Sequence, residues 1–402
     1  MNPSISLLQP YPFEKLAALF DGVSPAKKKA ILWSIGEPKH DAPEFVFELI
    51  KRELGGLSNY PLTAGMPELR AAIRDWLIRR FKLDSSILHA DKHLVPVNGT
   101  REALFAFCHF IINPSSDALV LMPNPFYQIY EGAAYLAGAK PWYMNLDPES
   151  LLPDFDAVPE EVWQKCQLIY ISSPGNPTGA VLSLQDMQKL IKLSEQFNFV
   201  IASDECYSEI YPDEDNPPCG LLEAAHQMGR HDFKNCVIFH SLSKRSSLPG
   251  MRSGFVAGDA ELIRKFKLYR TYHGCAMSPP FQKASIAVWQ DENHVVANRA
   301  LYREKFKLVH NILGEFLDVK QPAGSFYLWP KTPFADTMFA KFLYRDQNLT
   351  VLPGSYLSRD FNEVNPGVNR LRMALVAPID ECREGAERLR EFILACQSGS
   401  VQ

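Results

Sequence analysis

No two of the eight cysteines in this chain stand as CxxC, and its ten histidines form no HExxH and no Cys/His cluster of zinc spacing. A metal site is therefore not expected. The cysteines, at 108, 166, 206, 219, 236, 275, 382 and 396, are scattered through apolar segments and read as buried free thiols of a reducing compartment. Neither GxxxxGK[ST] nor GxGxxG follows an apolar run, which argues against a P-loop or dinucleotide enzyme. The net charge is −4, with no basic excess, so neither nucleic acid nor an anionic membrane is expected as partner. The longest apolar run, "ALFAFCHFII" (103–112), is too short to span a bilayer. The opening "MNPSISLLQPYPFEKLAALF" has no basic region followed by a long apolar stretch, so a signal peptide is not read there and the expected location is cytoplasmic.

What is present is an alternation. From about residue 92 to 260, short apolar runs such as "ALVLM", "QLIYIS", "FVIASDE" and "CVIFHS" alternate with helical patterns. One of these helices opens on the capping box Ser183-x-x-Asp186. Near-continuous apolar runs between helices predict an α/β fold with a mostly parallel sheet buried on both faces. After about residue 285 helices surround short strands, "GSFYLWP" and "NRLRMALV". The expected division is a large domain over 46–285 and a smaller α+β domain made of 1–45 and 286–402.

In such sheets ligands collect beyond the carboxyl ends of the strands. The polar residues at the run ends make one set of demands. Lys244, in "SLSKRSSLPGMRSGF", could form a Schiff base with an aldehyde. Ser241, Arg252 and the amides at Thr100 and Arg101, where a helix starts, could hold a phosphate. Asp204 would be a costly buried charge unless it met a protonated ring nitrogen. Asn176 and Tyr207 could hydrogen-bond a phenolate oxygen, and Tyr127 offers a ring to stack, with Phe126 as the alternative. Pyridoxal 5′-phosphate (PLP) meets all of these needs.

The same segments, in the order "SIGEP", "NYPLTAGMPELR", "NGTREA", "PNPFYQIY", "SSPGNPTG", "SDECY", "SLSK....GMRSG" and "NRLRMAL", resemble the class I/II aminotransferases of PLP fold type I. The resemblance implies Lys244 as the Schiff-base lysine, Asp204 at the pyridine nitrogen, and Asn176 and Tyr207 at the cofactor's O3′. It places Tyr127 on the ring and Thr100, Arg101, Ser241 and Arg252 around the phosphate. Tyr60 would reach the phosphate of a neighbouring subunit, implying a homodimer with active sites at the interface. Arg372 would grip the substrate α-carboxylate, with Arg370 as its competitor, and Gly36 would lie in the loop lining the substrate pocket.

"LLQPYPFEKLAALF", "GEPKH" and "NPFYQIYEGA" are further similar to the proteobacterial N-succinyl-LL-2,6-diaminopimelate aminotransferases. This implies amino-group exchange between that amino acid and 2-oxoglutarate in diaminopimelate and lysine biosynthesis. So long and anionic a substrate calls for a second cation, for which Lys39 and Arg245 are candidates, although Lys39 reads equally as a solvated loop residue. Other amino- and keto-acid specificities, of broad or aspartate/alanine type, remain open, as does a PLP-dependent C–S lyase. A DNA-binding regulator on this fold is not expected, because the residues ahead of Ser34 show no helix-turn-helix pattern.

Overall fold

The computed structural model describes residues 1–274 and 276–399. Its centre is a seven-stranded mixed sheet built from β2 (Leu94–Val97), β3 (Leu119–Asn124), β4 (Lys140–Asn145), β5 (Cys166–Ser172), β6 (Val200–Asp204), β7 (Cys236–Ser241) and β8 (Gly254–Gly258). A two-residue strand, β1 (Ile31–Leu32), precedes them in the chain. The strand order is β2-β8-β7-β6-β5-β3-β4, and every pair is parallel except the two that β8 makes.

Alternation within a strand sends its side chains to two different cores. In β5, Leu168 and Tyr170 enter one core with Phe107, Val120 and Phe239. Ile169 and Ile171 enter the other with Trp76, Phe199 and Phe255. All four β5 side chains are almost wholly buried. Helices cover both faces, so neither needs polar residues, and the strand reads as an unbroken apolar run.

The helix Leu184–Phe197 starts as its capping box predicts. Ser183 Oγ accepts from the Asp186 N–H at 3.1 Å, while Asp186 Oδ2 accepts from the Ser183 N–H at 2.9 Å. It stops at Asn198, which takes a left-handed conformation (φ 58°).

A third core, with Ile31, Trp33, Leu313, Leu343 and Phe392, lies around short strands and the long helices Asn293–Leu313 and Ile379–Gln397. Here β9 (Tyr327–Leu328), β10 (Leu349–Thr350), β11 (Leu352–Pro353) and β12 (Leu371–Ala374) form two small sheets, with β1 beside β10.

Of the described cysteines, four are buried and Cys206, Cys219 and Cys396 only partly so, which departs from the expectation of uniformly buried thiols. Cys275 lies outside the described residues. Among the described residues no helix is long and apolar enough to cross a membrane.

Candidate active site

The sheet register brings the sequence motifs together. Ser172 pairs with Asp204 across β5 and β6, and Gly254 pairs with both Ser241 of β7 and Val97 of β2. Because β8 runs against both its neighbours, the carboxyl ends of β2, β5, β6 and β7 share one edge. A cavity of about 500 Å³ opens there.

Lys244 sits on a single turn, Leu242–Arg245, which Ser241 caps by accepting the Ser243 N–H at 3.0 Å. Its Nζ donates to the Gly36 carbonyl at 2.7 Å and lies 5.3 Å from the centre of the Phe326 ring. Burial lowers its pKa to about 8; the nearby cations Arg372 and Arg252 push the same way, against a smaller opposing effect of Cys206.

Asp204 ends β6 and is 6 % exposed. Tyr130 donates its hydroxyl to Oδ2 at 2.8 Å and the Cys206 N–H donates to Oδ1 at 3.3 Å. No cation stands within ion-pair distance of it among the described residues. Burial therefore raises its pKa. Arg372 presents the opposite case. Its Nη1 donates to Asn176 Oδ1 (3.2 Å) and its Nη2 to the Ser34 carbonyl (2.8 Å), while its buried Nε finds no acceptor. The guanidinium lies 4.7 Å from the centre of the Tyr327 ring and, again among the described residues, has no carboxylate partner. One cavity thus carries two buried, uncompensated charges of opposite sign.

The end of the cavity at Thr100 and Arg252 is equally specific. Thr100 opens the helix Thr100–Ile111 after Gly99, whose φ is +81°. A Cβ on Gly99 would come within 2.3 Å of Arg252 Nη2, so only glycine admits that guanidinium. Arg252 itself takes a left-handed backbone (φ 52°), a conformation that costs about 1–3 kcal/mol in a non-glycine residue. Tyr127 faces the cavity and accepts from Arg101 Nε at 2.9 Å. Phe126 instead packs on Tyr143 at 5.4 Å between ring centres, which removes it as the stacking alternative.

Of the residues expected from sequence, the cavity walls gather Gly36, Thr100, Arg101, Tyr127, Asn176, Asp204, Tyr207, Ser241, Lys244, Arg252 and Arg372. Arg370 points elsewhere, donating to the carbonyls of Trp329 and Pro148. Arg370 continues the register of β12 through a bridge to Lys331, but its guanidinium is taken up by those two carbonyls and not by the cavity.

Arg245 is a correction. Neighbouring positions on a helical turn do not face one way, and its guanidinium is turned inward, 4.9 Å from the centre of the Trp289 ring, donating to Val288 O (2.9 Å) and Glu292 Oε1 (2.5 Å). Lys39 does not line the cavity; it stands 3.8 Å from Glu381. Tyr60 is fully exposed and lines a separate hollow beside Met66 and Gln282.

Sequence reasoning missed Tyr130 and Tyr327. Tyr130, in the helix Ile129–Leu136, stands three residues after Tyr127 with its ring centre 5.7 Å from that of Tyr127. Tyr327 hydrogen-bonds Tyr207 (3.1 Å between hydroxyls), and a Cβ on Gly36 would lie 2.0 Å from its Oη. Gly36 is thus the position that lets Tyr327 pass.

Comparison with known proteins agrees with this geometry. A family profile described as "Aminotransferase class I and II" matches residues 28–389. LL-diaminopimelate aminotransferase of Aquifex aeolicus is 31 % identical over 397 residues, covering 97 % of this chain and 98 % of its own. Among solved structures, an aminotransferase of Neisseria meningitidis is 47 % identical with a TM-score of 0.93, covering 97 % of this chain and 99 % of its own. Aminotransferase AspB of Helicobacter pylori is 38 % identical with a TM-score of 0.88, covering 96 % and 98 %. The chain belongs to the class I and II aminotransferases, whose cofactor is PLP.

Proposed function

We propose that this aminotransferase moves an amino group between N-succinyl-LL-2,6-diaminopimelate and 2-oxoglutarate. The observation that carries the reaction class is the pair of uncompensated charges. Asp204 fits a protonated pyridine nitrogen and Arg372 fits the α-carboxylate of an amino acid, with Lys244 on the same cavity.

The residues that line the cavity suit the parts of the cofactor. Thr100, Arg101, Ser241 and Arg252 would hold the phosphate of PLP, with Tyr127 beside its ring and Asn176 and Tyr207 at its phenolic oxygen. When bound, PLP supplies an electron sink for the charge left at Cα as an amino acid loses its α-proton. Arg372 grips the α-carboxylate through a planar fork, and Asn176 holds that fork in place. Lys244 Nζ takes the proton from Cα. With a pKa lowered to about 8, a useful fraction of it is a free base near neutrality. Tyr327 and Tyr207 fix one another across the cavity.

A diaminopimelate substrate is supported by the name borne by the Aquifex relative, LL-diaminopimelate aminotransferase, and its succinylated form by the position of Tyr11 and Phe13. These two residues come from the N-terminal stretch that carries the closer sequence resemblance, and both line the cavity. A second copy of the chain is supported by the exposed Tyr60, Leu57, Leu62 and Phe47. Tyr60 then serves the partner's phosphate site, and mixing inactive Tyr60→Ala with inactive Lys244→Ala protein restores activity in the hybrid.

The test of substrate is spectroscopic. N-succinyl-LL-2,6-diaminopimelate should bleach the visible band of PLP-loaded protein, and 2-oxoglutarate should restore it. A band that answers glutamate but not the succinylated amino acid sinks the substrate assignment alone. Keto acid release that needs no amino acceptor would instead favour a lyase.

A further inference from the structure

Behind the turn that carries Lys244 lies a row of buried polar groups to which the reaction above gives no part. Asn298, on the helix Asn293–Leu313, donates from Nδ2 to the carbonyls of Lys244 and Arg245, each at 3.2 Å. Two carbonyls can only accept, so Asn298 Oδ1 is left as the acceptor for His40 Nδ1–H, 2.6 Å away. That sets the tautomer of His40, whose Nε2 is then a bare lone pair. It accepts a hydrogen bond from Lys305 Nζ at 2.5 Å, and Lys305 also donates to the Val376 carbonyl at 3.2 Å. Asn298 and Lys305 stand seven residues apart, two turns along one helix face.

The row therefore has a single direction, from an ammonium through a neutral imidazole and an amide to the backbone of the reactive lysine. Burial lowers the pKa of His40, with Lys305 adding to the effect, so the imidazole stays neutral. Lys305 is itself pushed down to about 8 by burial.

The loop holding His40 is also the loop holding Gly36. Its Gly36 end accepts Lys244 Nζ, and at its His40 end the carbonyl accepts from Ser247 Oγ at 2.8 Å. The lysine is consequently tied at two levels, side chain and backbone, to one five-residue stretch, Gly36 to His40. The side-chain tie is released whenever Nζ engages cofactor or substrate. The backbone tie persists.

We propose that His40, clamped between Lys305 and Asn298, is a positioning residue for Lys244, holding the turn in register while Nζ is away from Gly36. This rests on the reading of Lys244 as the reactive amine. A displacement of about an ångström at a proton-transfer group can cost up to about a hundredfold in rate.

The experiment compares PLP-loaded wild type with His40→Ala and His40→Gln. Glutamine offers an amide oxygen to Lys305 and an N–H to Asn298, so it restores the row without titrating. Expected for His40→Ala is a loss of about ten- to a hundredfold in kcat, with KM for glutamate moving less than about threefold. The midpoint of the pH titration of the visible band should shift by about one unit, because the lysine environment has changed. His40→Gln should recover most of both. The charged and titratable groups facing the row are Lys39 and Asp41 on its loop, Glu381 and Cys382 on the helix Ile379–Gln397, and Tyr302. None of them is changed by these variants.

Asn298→Ala cuts the same link from the other side, and the double variant should lose no more than either single one. Unchanged kcat in His40→Ala, equal damage in His40→Gln, a loss confined to KM, or additive losses in the double variant would each overturn the proposal. A wild-type visible band that survives Lys244→Ala would overturn the assignment of Lys244 instead.

Discussion

Replacing Asp204 by asparagine should make the cofactor-free protein more stable and the enzyme far worse. The carboxylate is 6 % exposed, receives neutral hydrogen bonds from the Tyr130 hydroxyl and the Cys206 N–H, and has no cation within ion-pair distance among the described residues. Asparagine keeps both contacts: Oδ1 accepts from the Cys206 N–H, and the Tyr130 hydroxyl can rotate to accept from Nδ2. What disappears is a buried charge, whose desolvation costs about 1–3 kcal/mol or more. For a chain of this size that is on the order of a few degrees in melting temperature.

The sign of the pH dependence follows. Burial raises the folded pKa above the ordinary 3.8, so the native state binds a proton that the unfolded chain releases. Stability of the cofactor-free wild type should therefore fall as pH climbs from that ordinary value through the raised one, and the loss is complete above it. The variant lacks this component. With PLP bound the balance inverts, because the ring cation now faces a neutral amide. Breaking a buried pair costs about 3–5 kcal/mol, or roughly 10²- to 10⁴-fold in rate. Thermal melts of stripped protein across pH, beside steady-state kinetics of loaded protein, read both halves. A stripped variant that melts lower than wild type, or a loaded one within tenfold of it in kcat, refutes the reasoning.

Arg372→Lys keeps the charge and loses the fork; giving up one charge-assisted bond of about 1.5–3 kcal/mol predicts a ten- to hundredfold fall in kcat/KM for amino donors. A change under threefold would remove Arg372 as the carboxylate clamp. In the cofactor-free protein, Lys244 should react with an amine-directed reagent with a pH midpoint near 8, and a midpoint near the ordinary 10.5, measured by peptide mass spectrometry, would contradict its burial. Gly99→Ala pushes a methyl to within 2.3 Å of Arg252 Nη2 and should weaken PLP binding about tenfold or more. Gly229→Ala, at a similar φ of +73° but with nothing within 4 Å, bears the same backbone strain of about 1–2 kcal/mol and should leave PLP affinity unchanged. Equal effects of the two substitutions on affinity would show that strain, not the Arg252 contact, matters at Gly99.

The parts of this site that the sequence displays are those whose chemistry is written next to the backbone that places them. Asp204 and Ser241 close apolar runs, and Lys244 sits one short turn beyond the second, so finding the strands finds them. Thr100 opens a helix three residues after β2 ends, and Tyr127 lies between β3 and the helix Ile129–Leu136, so the same logic reaches them. Arg245 shows where adjacency misleads: it neighbours Lys244 in sequence, but a helical turn rotates it away into a cage of Trp76 and Trp289. Arg370 shows that shared register is not enough: it bridges Lys331 one residue ahead of β12, yet its guanidinium is taken up by the carbonyls of Trp329 and Pro148.

What stays hidden are partnerships across the chain, which local pattern cannot encode. The Arg372 fork meets Asn176 from 196 positions away, and the His40 contact to Lys305 spans 265. His40 stands within the loop ahead of the helix Glu44–Arg52, Lys305 is one of two lysines in the helix Asn293–Leu313, and neither pattern hints at a bare imidazole nitrogen meeting an ammonium. Such groups become legible only when two cores fix where the helix Asn293–Leu313 lies against the turn of Lys244. Sequence thus marks the atoms that react, whereas the fold decides which atoms hold them still.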